Sequence, residues 1–236
     1  MTLLALLPLP LLAQGQEGED EERIDSPYRW IERGLRVGLY GGYQAANRGN
    51  LDFGQGPTAL GGARFRVRVS SPLTLELGVG YGPASRWVID PRLETGPAPV
   101  DTVSAGWLRT EIGVQLGVTG SRTWHGLHPY ALFGGGFVFG VNEEASEAFS
   151  EAGLAPFRYD VSTAPHLYVG LGAEIFPSDR IGLGFELRDY LVRLKAPDGF
   201  FQDEILRAIE ELGGEAPKET QWPHNPEFSL GLWYYF

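Results

Sequence analysis

The sequence predicts an all-β chain closed into an eight-stranded antiparallel up-and-down barrel, with one short amphipathic helix in its last long connection. Three observations predict it. Apolar residues fall on every second position through eight stretches of the 236-residue chain, the period of a strand with one apolar face. The connections between those stretches alternate strictly between long and short. The face opposite the apolar one is built of Gly with Arg and Glu, where a water-facing sheet would carry Ser, Thr and Lys.

The eight stretches run 34–43, 60–70, 73–82, 105–118, 129–141, 164–176, 180–194 and 227–236. A long connection rich in Gly and Asn, 44–59, follows the first, and Ser71-Pro72 makes a tight turn after the second. A Pro-rich connection, 83–104, leads to the fourth stretch, and TGSRTWHGLH, 119–128, is of moderate length. An acidic connection, 142–163, precedes the sixth; Pro177-Ser178-Asp179 is tight; the last connection, 195–226, is the longest. Long connections therefore share one end of the sheet, and short turns share the other end with both termini. A soluble meander has no reason to segregate its loops, whereas a barrel inserted into a membrane from one side has.

The helix lies in the last connection, at 199–212 within GFFQDEILRAIEELGG. Phe201, Ile205, Ala208 and Leu212 share a stripe, with Ile209 beside it, as an amphipathic helix requires. Asp198 is placed to cap its start and Gly213-Gly214 to end it. It is expected to pack on neighbouring loops or to cap the barrel mouth; a partner-binding or membrane-surface helix is the sharper alternative.

The amino-terminal TLLALLPLPLLAQGQ has an apolar run, Leu3 to Leu12, too short to span a bilayer as a helix. Residues 1–13 are expected to be a secretory signal peptide cut after Ala13, although no Lys or Arg precedes the apolar run. The acidic QEGEDEER opens an expected periplasmic linker, 14–32, and the barrel takes 33–236. The formal net charge of −11 argues against a nucleic-acid partner, because a polyanion would be repelled. There is no Cys, so no disulfide or thiol chemistry. Of 19 basic residues only Lys195 and Lys218 are Lys; Arg is the cation suited to fixed, partly buried ion pairs.

Alternation does not by itself say which face looks inward. A soluble lipocalin-like barrel has its apolar face inside, and a membrane barrel inverts this. The apolar face is a near-continuous band that includes Leu35, Val37, Leu39, Phe65, Leu77, Ile112, Phe133, Leu171, Leu187 and Leu230. So much Gly on the other face would weaken a water-facing sheet. In a narrow lumen, small residues make room for large ones. The Gly face is therefore read as the interior. It is expected to hold an ion-pair network of Arg36, Arg64, Arg66, Arg68, Arg109 and Arg188 with Glu76, Glu111, Glu174 and Glu186, because a buried charge must be paired. If the turn centres on Pro72, Arg68 lies opposite Glu76. If the next tight turn centres near Asp179, Glu174 faces Gly184 and Glu186 faces Gly172. Tyr43, Tyr81, Trp107, Tyr130, Phe176, Trp233, Tyr234 and Phe236 lie near strand ends, where membrane girdles sit. Asp189 falls on the lipid phase, close to the external rim.

The leader, the eight strands, the loop pattern and the closing FSLGLWYYF together resemble the small outer-membrane β-barrels of Gram-negative-type bacteria, the OmpA membrane domain and OmpX-like proteins being the nearest types. The resemblance covers about 33–236 and is architectural. It implies a monomer exported through the periplasm into the bacterial outer membrane, with outer-membrane lipid around it. It also implies that the last strand is read by the barrel-assembly machinery, through Leu230, Leu232, Tyr234 and Phe236. No peptidoglycan-binding domain is expected after the barrel, and wall anchoring is not expected.

Catalytic motifs are few. There is no P-loop, HExxH, EF-hand loop or nucleophile elbow, so no cofactor and no metal are expected. GLYGGY and LFGGGF are Gly runs inside strands, whereas a phosphate loop must precede a helix. His125 and His128 belong to a periplasmic turn. His166 and His224 lie toward the external end, and with Ser229 they are weak candidates for general-base chemistry of a lipid-modifying hydrolase or acyltransferase. The plainer reading is a rim histidine in a loop. The expected function is non-enzymatic, in surface structure or interaction. The rivals are that enzyme, a soluble lipocalin-like binding barrel and a small pore, although an eight-stranded lumen is normally filled.

Overall fold

A strand has all its backbone N–H and C=O groups paired only if it finds a neighbour on both edges. A computed structural model, describing residues 26–93, 97–141, 153–159, 163–213 and 215–236, shows how that is met. Eight strands pair in sequence order: β1 (Leu35–Gln44), β2 (Thr58–Arg68), β3 (Leu73–Gly82), β4 (Gly106–Gly117), β5 (Leu127–Val141), β6 (Ala164–Ser178), β7 (Ile181–Val192) and β8 (His224–Tyr235). Each is antiparallel to the next, and β8 pairs with β1 from Glu227 opposite Gln44 to Tyr235 opposite Arg36. The wall is closed, and every strand has the length, 10–15 residues, to cross a bilayer at a tilt.

The phase of each strand settles inside from outside. Leu39, Leu77, Ile112, Leu171, Leu187 and Leu230 point outward and are more than half exposed. Arg and Glu of the opposite phase are buried within the barrel. This inverts a soluble barrel, and it overturns the lipocalin-like alternative: an apolar ligand would meet a charged interior.

The long connections fold into a roof. Ser85–Asp90 pairs with Ala98–Ser104 as a hairpin within the third connection, and Leu194–Lys195 with Thr220–Gln221 in the last. Asp90 accepts two hydrogen bonds from the Arg92 guanidinium, which hold its carboxyl below the usual range. The helical stretch begins with a 3-10 turn, Asp198–Phe201, and continues as α1, Asp203–Glu211. Phe200, Ile205 and Ile209 are its buried residues, while Leu212 is exposed. The expected stripe through Leu212 is thus shifted, because the 3-10 turn rotates the entry into the helix. Asp198 makes no side-chain cap; Gln202 is the residue at the N-cap of α1. Phe53, Phe157 and Phe200 meet in this roof, with ring centroids 5.9 Å apart for Phe53–Phe200 and 5.4 Å for Phe157–Phe200.

The short-turn end is closed differently. Residues 1–25, with the expected signal peptide and most of the linker, lie outside the described residues. The rest of the expected linker is ordered against the barrel. Tyr28–Trp30 pairs with Arg122–Trp124, and Ile31 is buried with Trp233 and Tyr235. The acidic run had masked the strand-forming YRW that follows it.

Three aromatics expected in the girdle are inside instead. Trp107, Tyr130 and Trp233 are buried at 1–2% exposure, because they share the phase of Arg109, Leu132 and Ser229 on their own strands. Phe176 is half-buried against Tyr235. Tyr43, Tyr81, Tyr234 and Phe236 point outward and are exposed.

Candidate functional site

Every second residue of each strand enters a lumen a few side chains across, so long charged groups from opposite walls must meet or clash. They meet. Arg66 is wholly buried and donates to three carboxylates: Nε to Glu76 at 2.6 Å, Nη1 to Glu174 at 2.8 Å, and Nη2 to Glu186. Arg188 donates to Glu186 at 2.9 Å, Glu111 at 3.0 Å and Glu76 at 3.0 Å. Arg64 reaches Glu186 at 2.7 Å. Arg109 reaches Glu227 at 2.7 Å and Glu111 at 2.5 Å. Arg36 sits lowest, donating to Gln115 at 2.5 Å with Glu174 at 3.4 Å.

Five arginines (Arg36, Arg64, Arg66, Arg109, Arg188) thus face five glutamates (Glu76, Glu111, Glu174, Glu186, Glu227), all buried, and the formal charges cancel. That balance matters because an unpaired ion in a low-dielectric lumen costs several kcal/mol. Tyrosine hydroxyls add donors to four of the carboxylates: Tyr130 donates to Glu186 at 2.7 Å, Tyr190 to Glu111 at 3.0 Å, Tyr168 to Glu76 at 3.2 Å, and Tyr235 to Glu174. Aromatic faces cover the guanidinium planes, with Tyr40 3.6 Å from Arg64, Tyr190 3.7 Å from Arg109 and Trp233 4.0 Å from Arg66.

The glycines now have a specific use. A Cβ on Gly38 would lie 2.5 Å from the Trp233 ring, and one on Gly172 2.6 Å from the Tyr130 ring. The vacancies opposite the charged groups hold aromatic plates as well as long ionic side chains.

Glu227 and the ring partners Tyr40 and Tyr168 were absent from the sequence reading. Glu227 has the phase of Ser229 and was lost because it stood at the assumed strand boundary. Arg68 was placed in the network, and the structure puts it elsewhere. It lies opposite Thr74, and Arg66 is opposite Glu76. The turn centres one residue before Pro72, and moving a turn centre by one moves each partner by two. Inside and outside are preserved and the pairing changes. The Arg68 guanidinium instead donates to the backbone carbonyls of Ile31 at 2.6 Å and Arg33 at 2.8 Å. On the other hairpin, Glu174 faces Gly184 and Glu186 faces Gly172.

The three weak catalytic candidates are not brought together. His166 is buried in the upper lumen, its ring 5.7 Å from Tyr190 and 6.3 Å from Tyr168. His224 is on the outer face, bonded through Nδ1 to Asp189 at 2.5 Å. Ser229 is inside, level with Glu186 and Gly172, six residues below His166 along β6, or about 20 Å at the rise of a strand. No histidine is positioned to activate that hydroxyl. The outward pair of Asp189 with His224 also accounts for an acidic residue on the lipid phase: it stands at the external rim with a partner.

Above Arg109 the lumen ends under the loops in a cavity of about 40 Å³, which Gln44, Trp107, Tyr159 and Asn225 help to line. That is room for water and little else. Among the described residues no cluster of three or more His, Asp or Glu is arranged to hold a metal ion, and no helix is long and apolar enough to cross a membrane. Leu230, Leu232 and Tyr234 on β8 form an outward row that Phe236 continues just past the strand, with Tyr234 and Phe236 edge-on at 5.1 Å.

No protein-family model matches the chain, and no curated protein matches its sequence. Solved structures match its shape. The outer membrane protein OprG of Pseudomonas aeruginosa is similar with a TM-score of 0.51 at 12% identity, over 86% of this chain and 97% of that one. Neisserial surface protein A is similar with a TM-score of 0.50 at 9% identity, over 89% of this chain and 98% of that one. At such identities the likeness is one of fold: this chain has the closed eight-stranded barrel of small outer-membrane proteins.

Proposed function

We propose that the chain is a bacterial outer-membrane protein, exported through the periplasm, that acts without catalysis in surface structure or interaction. The observation that carries this reading is its sidedness. A charge-balanced interior lies within an apolar outer belt, and among the described residues the long folded connections all stand at one end. An apolar belt of this extent needs a lipid partner. The interior acts as a rigid post. It holds the loop roof at a fixed height above the membrane, where a partner can reach it. The protein works as a monomer in this reading, because the eight barrel strands close on one another and leave no edge of the barrel wall to pair with another copy.

Membrane fractionation with heat-modifiable migration on detergent gels tests the reading. Recovery only in detergent, with an unheated form of different mobility, is expected; a chain that stays monomeric in detergent-free buffer sinks it. Mass analysis of lipid A with and without expression should give one acyl pattern, and a changed pattern would point to a lipid-modifying enzyme. The outward row Leu230, Leu232, Tyr234 and Phe236 is proposed as the surface read by the barrel-assembly machinery. Phe236→Ala should therefore impair assembly in cells far more than refolding in detergent. Equal losses would make the residue packing alone.

A further inference from the structure

The barrel wall carries an addition at its short-turn end. Tyr28 lies opposite Trp124 and Trp30 opposite Arg122. Trp124 lies opposite Leu127, the first residue of β5, and Leu127 lies opposite Ile175 of β6. Ile175, Leu127, Trp124 and Tyr28 therefore form one cross-strand row on a single face of the sheet. Ile175 has the phase of Leu171 and Leu167, so this is the face of the apolar belt, carried past the barrel on a strand that is not part of it.

The exposed side of the addition is unusual for a surface beyond a membrane. Tyr28, Trp30 and Trp124 are 46%, 63% and 48% exposed. The Arg122 guanidinium lies 4.3 Å from the Trp30 ring centroid. The other side is tied down: Thr123 is buried, Ile31 packs into the barrel mouth, and Arg68 clamps the carbonyls of Ile31 and Arg33. The aromatic face is thus held at a fixed height, at the margin of the belt. Rings with one apolar and one polar edge settle at the membrane–water boundary, and a guanidinium matches phosphate oxygens.

We infer that Tyr28, Trp30, Arg122 and Trp124 form a lipid-docking surface that engages the phosphate-bearing headgroup layer of the periplasmic leaflet. It anchors the amino-terminal segment to the membrane beside the mouth which Ile31 closes. The partner is a phospholipid headgroup, chosen by continuity with the belt and by the charge of Arg122. The inference rests on the belt facing lipid.

The chain has no Cys, so single-cysteine spin labels report one position each. The full chain, reconstituted in phosphatidylethanolamine–phosphatidylglycerol vesicles, would be labelled as Tyr28→Cys, Arg29→Cys or Leu171→Cys. Accessibility to oxygen and to a water-soluble nickel chelate gives the depth of each label. Leu171 should report the bilayer interior. Tyr28 should report headgroup depth, several-fold less open to nickel than Arg29, which is on the opposite face. Equal nickel access at positions 28 and 29, with Leu171 in lipid, overturns the docking surface alone. A label at 28 shielded from both reagents means that a protein covers the face, and also overturns it. A water-accessible Leu171 label overturns the membrane reading and this inference together. Adding Trp30→Ser, Arg122→Glu and Trp124→Ser to Tyr28→Cys should raise nickel access several-fold while heat-modifiable migration is kept. Unchanged depth in that folded variant removes these residues from the role.

Discussion

At the scale of single residues, the lumen makes pairing claims that can be separated. Arg66 and Glu76 are opposite in register and joined at 2.6 Å, whereas Arg68 bonds backbone carbonyls near the mouth. Removing one member of a buried network typically costs about 3–5 kcal/mol. Glu76→Ala and Arg66→Ala should each fall in that range in detergent unfolding titrations, and the double variant should lose clearly less than their sum. Glu76→Ala with Arg68→Ala should instead add to within about 0.5 kcal/mol. A strong coupling in the second cycle would show that Arg68 belongs to the network after all. Gly38 offers a second test. A methyl there meets the Trp233 ring at 2.5 Å, and that ring also covers Arg66 at 4.0 Å. Gly38→Ala should destabilise the barrel by about 1–3 kcal/mol, the usual cost of overpacking, as measured by the shift in its unfolding midpoint.

At the scale of elements, what could be read from the sequence follows from how each element is stabilised. The eight strands were legible because each must serve two faces, so period two is enforced along its whole length. The interior charges were legible by the same phase. Trp107, Tyr130 and Trp233 obey that phase too, and proximity to strand ends misplaced them. The pairing of Arg66 with Glu76 was not legible, because register depends on the turn and one residue of turn geometry exchanges partners. The loop elements were least legible. The hairpin Ser85–Asp90 with Ala98–Ser104 has no clean alternation, since it packs into an irregular roof. Tyr28–Trp30 is only three residues long and takes its stability from Arg68 and Ile31. The roof nonetheless packs around Phe200, at 0% exposure, in an apolar cluster that rests on Tyr40, Leu60, Trp107 and Val138 of the barrel. Phe200→Ala should cost the roof about 3–5 kcal/mol and speed protease cleavage within 195–221. Heat-modifiable migration of the barrel should persist, because none of the ladder between neighbouring barrel strands passes through the roof. Loss of both together would mean that roof and barrel fold as one unit.

At the scale of the whole molecule, two opposed demands meet in one wall. Its interior cancels five positive against five negative side chains and roofs them over. Its exterior exposes Leu, Val, Ile and Phe on every strand, an arrangement that is stable only where the surroundings are apolar. The cost of a charge on that exterior must therefore depend on height along the barrel. Leu171 lies at the middle of β6, and Leu191 lies near the external end of β7, one register step beyond Asp189. Leu171→Arg should destabilise the barrel in lipid vesicles by about 2–4 kcal/mol, as expected for a bilayer midplane. Leu191→Arg should cost about 0–1 kcal/mol, because its guanidinium can reach the headgroups where Asp189 and His224 already stand. The difference should shrink when both variants are unfolded from small detergent micelles, whose apolar layer adapts to the protein. A flat profile in vesicles, with both substitutions equally tolerated, would mean that the belt faces water and that the assignment of inside and outside to solvent is wrong.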